Sequence, residues 1–105
     1  MDEREQKYLD IIAQFPDSPL GHFSLGKYYV EIGRFQEAIA PLTHCVEADP
    51  QWAAAFLALG DAYGGVGNTE KAIATLEQAR STAHGKRDQS FIADIDERLE
   101  ALRNG

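Results

Sequence analysis

The stretch Leu25-Gly26-Lys27-Tyr28-Tyr29 returns 34 residues later as Leu59-Gly60-Asp61-Ala62-Tyr63, with its Leu, Gly and final Tyr in register. Behind each copy, at the same offset, stand Ala38-Ile39-Ala40-Pro41-Leu42 and Ala72-Ile73-Ala74-Thr75-Leu76, and Gly33 is matched by Gly67. Laid over one another, residues 19–52 and 53–86 agree at eight of 34 positions. Average composition gives roughly two. A fixed period in this range marks a repeat array, and a 34-residue unit is a helix-turn-helix. Such a unit buries its apolar face only against a neighbour, so the flanking segments must supply further layers.

The flanks fit that requirement. Residues 2–15 read as a helix with Tyr8, Ile11, Ile12 and Phe15 in one apolar stripe, while Asp2, Glu3, Arg4, Glu5 and Lys7 stay wet. Phe15-Pro16-Asp17-Ser18-Pro19 stops it, because proline cannot donate to the helical ladder and pushes the preceding residue out of helical geometry. Ser18 followed by Pro19 restarts the chain as N-cap and first helical residue. A second helix runs to about Ile32 with Gly33 as its stop. A third runs from about Phe35 to Ala48 with a local bend expected at Pro41. A fourth covers 53–66, a fifth follows Asn68 over about 69–82 and is closed by His84-Gly85, and a sixth covers about 88–103. No segment carries the alternation that a strand needs. Laid on 35–52, residues 1–18 put Pro16 on Pro50, Ile12 on Val46 and Tyr8 on Leu42. The first helix thus reads as the second half of a preceding repeat.

These residues resemble the tetratricopeptide repeat family, whose pattern sets an aromatic before Leu-Gly, then Tyr, then Ala-x-x-x-aromatic and Pro. The first copy reads His22-x-x-Leu25-Gly26-x-x-Tyr29, then Ala38-x-x-x-Leu42 and Pro50. The second reads Phe56-x-x-Leu59-Gly60-x-x-Tyr63, then Ala72-x-x-x-Leu76 and His84. The resemblance implies an all-α solenoid, a right-handed superhelix of six antiparallel helices forming one domain over 1–105. Its parts are a half-repeat at 1–18, repeats at 19–52 and 53–86, and a capping helix at 87–105. It also implies a non-catalytic interaction module that binds a peptide or partner protein on its concave face. The groove positions it points to are Leu20, Phe23, Lys27 and Val30, then Ala54, Leu57, Asp61 and Gly64, and Phe91, Ile95 and Arg98 in the cap. An apolar floor with few polar anchors suits an amphipathic helix or an extended segment. The alternative is that Phe23, Leu57 and Phe91 simply pack on each other. Asp61 stands where a carboxylate-binding clamp of this family needs Asn, which argues against that mode.

Charge and composition narrow the partners. With 17 acids against 10 bases the chain carries −7, which disfavours nucleic acid and anionic membranes. No apolar stretch is long enough for a membrane span. A single cysteine, Cys45, precludes an intrachain disulfide, and the expected setting is cytoplasmic. No cofactor is expected. His22, His44 and His84 fall in different helices with no ligand-type partner four residues on, so no metal site is expected. Cys45 takes the place of Ala79 in the second copy and reads as a small buried filler. Gly64-Gly65-Val66-Gly67-Asn68-Thr69-Glu70-Lys71 has the wrong spacing for a phosphate loop and follows a helix. Asp94, Asp96, Glu97 and Glu100 read as a solvated face. With no nucleophile–base pair, the chain does not read as an enzyme. Trp52 stands open between an interface anchor and a structural residue packed on Phe56 or Pro50. A self-associating structural module is the rival reading, through terminal helix faces such as Tyr8/Ile12, giving a monomer or weak homodimer.

Overall fold

The computed structural model describes residues 2–83 and 89–105. It contains six helices, α1 (Glu3–Gln14), α2 (Leu20–Glu31), α3 (Phe35–Ala48), α4 (Ala53–Gly65), α5 (Thr69–Thr82) and α6 (Gln89–Asn104), and no strand among the described residues. Each helix packs on the next, and α2 also meets α4 as α4 meets α6. The even-numbered helices therefore form one layer and the odd-numbered ones the other. α4 sits at the centre, touching α2, α3, α5 and α6, so most of its residues are buried. The expected closure of α5 at His84-Gly85 lies outside the described residues.

The two matched glycine pairs do different work. Gly33 and Gly67 adopt φ of 80° and 83°, the left-handed conformation that ends a helix. Beyond them the N–H of Arg34 donates to Tyr29 O at 2.8 Å, and that of Asn68 to Tyr63 O at 2.9 Å. Nothing lies within 4 Å of a Cβ placed on Gly33. A Gly33→Ala substitution therefore meets backbone strain alone and is expected to cost about 1 kcal/mol in chemical denaturation.

Gly26 and Gly60 instead set the spacing of helix pairs. A Cβ on Gly26 would stand 2.6 Å from Leu42 Cδ2, and one on Gly60 2.7 Å from Leu76 Cδ2. Leu42 and Leu76 thus reach the backbone of the facing helix, filling the gap that a side chain would occupy. Two clusters of buried residues result. One is built from Leu25, Tyr28, Tyr29, Ala38, Leu42, Ala58, Leu59 and Ala62. The other contains Phe56, Leu57, Leu76, Ala79, Ile95 and Leu99. Gly65 adds a third close approach, since the Phe35 ring lies where its Cβ would stand. α3 runs through Pro41 as one helix.

The first helix departs from the expected pattern in two places. Glu5 does not stay wet; it is only 4% exposed. Its carboxylate accepts from the Tyr29 hydroxyl and, at 3.1 and 3.2 Å, from the two terminal nitrogens of Arg34. Phe15 is 56% exposed rather than inward, because the chain turns away at Pro16. The inward stripe keeps Tyr8 and Ile12 where the sequence pattern places them and gains Glu5 and Leu9 at its start in place of Phe15.

Candidate partner-binding groove

Along the layer of α2, α4 and α6 lies a cleft of ≈ 320 Å³ lined by Phe23, Lys27, Val30, Ala54, Leu57, Asp61 and Phe91, all expected there, with Arg98. Glu31, Ala58 and Asp94 complete it. The spacing explains the set. Positions 23, 27 and 30 share one face of α2, as 54, 57, 58 and 61 share one face of α4. Leu57 is buried and forms the floor; Phe23 and Phe91 are half-buried walls. The Trp52 ring centre stands 4.7 Å from that of Phe23, so Trp52 supports this wall from the turn before α4.

Three expected residues lie elsewhere. Leu20 is 64% exposed at the start of α2 and does not line the cleft. Ile95 is 0% exposed, sunk in the cluster with Phe56, Leu57 and Leu76. α6 packs on α5 and α4 through Ile95 and Leu99, which both enter the second cluster. It presents Phe91, Asp94 and Arg98 to the cleft and turns Ile95 inward. Gly64 likewise stands outside the lining.

The polar atoms are partly matched. Arg98 Nε donates to Asp61 Oδ1 at 2.6 Å, tying α6 to α4 across the cleft, and its Nη1 donates to the Asp94 carbonyl at 3.2 Å. Lys27 is exposed, and its ammonium stands 5.7 Å from the Phe23 ring centre. Arg4 lies 4.7 Å over the Tyr28 ring and 3.9 Å from Glu31, continuing the same face towards α1. None of these groups forms a nucleophile–base pair.

Elsewhere, burial pushes the Cys45 thiol up to about 11, so it stays protonated beneath the α2–α3 packing, its Sγ 3.5 Å from Pro19 O. His22 and His44, separate in the sequence, are brought together: their ring centres are 4.0 Å apart. Only the pairing of α2 with α3 reveals that proximity. No group of three or more His, Cys, Asp or Glu residues among the described ones converges on a possible ion. No helix among the described residues is long and apolar enough to cross a membrane.

Stacked helix hairpins at a 34-residue repeat, with one helix of each lining a shared cleft, define a class of helical scaffold. The comparisons with known proteins identify the family. A sequence model of the tetratricopeptide repeat matches residues 29–95. A TPR repeat-containing protein of Pseudomonas aeruginosa is 36% identical over 77 residues, 71% of this chain and 73% of that protein. The solution structure of a protein from Bordetella parapertussis superposes with a TM-score of 0.83 at 27% identity, covering 99% of this chain and 90% of that one. The TPR2B domain of yeast Sti1, solved as a complex with pHsp70, superposes at 0.87 over 95% of this chain and 80% of that one, with 23% identity. The chain belongs to the tetratricopeptide repeat family, a family of protein-interaction scaffolds.

Proposed function

We propose that this chain is a non-catalytic adaptor that docks a short segment of a partner protein in the cleft between α2, α4 and α6. The observation that carries this is the convergence of Phe23, Leu57 and Phe91 from three helices around a cleft of ≈ 320 Å³ with Lys27 at its edge. Phe23 and Phe91 are only half-buried, which leaves apolar surface for an anchor side chain. The unit is read as one domain over 1–105 with repeats at 19–52 and 53–86, working in a reducing cytoplasmic setting. The buried, unpaired Cys45 is compatible with that setting.

The test is capture from native cell extract by wild type and by a Phe23→Ala/Lys27→Glu variant. Leu57 is left alone because an acid there would sit in the core. The two mutated groups lie at the cleft surface, so helical circular dichroism should be unchanged. The captured protein, purified, should bind the variant at least about 30-fold more weakly, the effect of losing a central aromatic anchor of about 2 kcal/mol. Equal affinity for both would sink the assignment. A second reading, weak self-association, is supported by Phe15 and Leu20, exposed at 56% and 64% beside the α1–α2 turn. Sedimentation of wild type and a Phe15→Ser/Leu20→Ser variant over a concentration series tests it.

A further inference from the structure

From the pairing of His22 and His44 we infer a binding site for a divalent transition metal of the zinc and copper type on the face opposite the cleft. His22 lies in the first turn of α2 and His44 in the last turn of α3, and the antiparallel hairpin brings them side by side. Their rings are 4.0 Å apart between centres and inclined by 33°. Two imidazoles on one ion, each bound through nitrogen at about 2.0–2.1 Å with an angle of 90–110° between them, have ring centres roughly 4.5–5.2 Å apart. The observed pair therefore needs to open by about half an ångström to one ångström to accept an ion, within the reach of small side-chain rotations.

The backbone beneath is already held. Leu42, two residues before His44, fills the space against Gly26, and Cys45, the next residue, reaches Pro19 O. Ligands carried on two packed helices lose little freedom on binding. An open furrow of ≈ 550 Å³ lies beside the pair, lined also by Ile12, Leu25 and Tyr29, and gives room for the waters that complete the coordination. With no third protein ligand converging among the described residues, the site is a two-histidine, water-completed one. Imidazole ligands select zinc, copper and nickel over magnesium or calcium.

The second repeat shows how the same positions look without the pair: Phe56 stands for His22 and Gln78 for His44. His22→Phe and His44→Gln thus install residues the repeat already accommodates. Titration of the full chain with zinc chloride, followed by calorimetry and by imidazole nitrogen shifts, should show one ion per chain and shifts on His22 and His44. Each single substitution should weaken binding at least tenfold, His84→Gln should leave it unchanged, and magnesium should not bind. The inference is overturned if zinc produces no binding up to millimolar concentration. It is equally overturned if either His22→Phe or His44→Gln binds zinc like wild type, or if only protons act on the pair.

Discussion

Gly26→Val is expected to be the most damaging single substitution in the first repeat, costing more than about 3 kcal/mol, a large part of the 5–15 kcal/mol that holds a domain of this size. The added Cβ alone would stand 2.6 Å from Leu42 Cδ2. Leu42 is 0% exposed and has nowhere to go. Valine adds two more methyl groups and a branch that crowds the preceding helical turn. The melting temperature should fall by well over 10 °C at about 4–8 °C per kcal/mol. The diagnostic experiment is a cycle with Leu42→Ala. That change alone leaves a cavity and costs about 2–5 kcal/mol. Combined with Gly26→Ala, the new methyl group enters the space vacated by leucine, so the double variant should be more stable than the sum of the singles implies. Simple additivity would mean that the two residues do not share one space. Gly60 and Leu76 should behave alike in the second repeat.

Glu5→Gln should give the largest pH-dependent effect. Hydrogen bonding from the Tyr29 hydroxyl, then from Arg34, holds the Glu5 carboxyl below the usual carboxylate range. Tyr28 does the same for Asp2, and Arg34 for Glu37. A depressed acid stabilises the fold above its unfolded pKa, and that contribution is lost as pH falls through the folded value. Wild-type melting temperature should therefore be level at neutral pH and decline below about 4.3. Glu5→Gln should melt lower at pH 7 and show a shallower decline, the two curves converging as pH falls below the usual carboxylate range. Parallel curves would show that Glu5 contributes nothing through its charge. Tyr29 is the partner whose titration moves the other way, burial and then Glu5 pushing its hydroxyl up to about 12.

Much of the architecture was legible because it depends on local spacing. Gly33 and Gly67 mark helix ends by conformation, and Gly26 and Gly60 mark close crossings by the absence of a side chain. The period then carries both facts from one copy to the next. What the sequence hid is non-local. A glutamate reads as wet until a cation arrives, and here Arg34 comes 29 residues later. The histidine pair needs α3 folded back on α2. Ile95 lies at the offset of Lys27 and Asp61, yet α6 turns it into the second cluster, which the repeat period alone does not show. Most of the cleft was found because Phe23, Lys27, Leu57 and Asp61 lie within the two true copies; Asp94 and Glu31 were missed because nothing in a repeat alignment marks a groove edge.

Arg34 also has a consequence for how the array comes apart. Its guanidinium reaches Glu5 on α1 and Glu37 on α3 and lies 4.7 Å from the Tyr29 ring on α2. Its own N–H closes the α2–α3 turn. Release of α1 and loosening of that turn are thereby one event. Amide protons in α1 and at Arg34 should exchange with deuterium with a common opening free energy, while those of the central α4 wait for the whole chain to unfold. A single side chain makes the first three helices one cooperative unit.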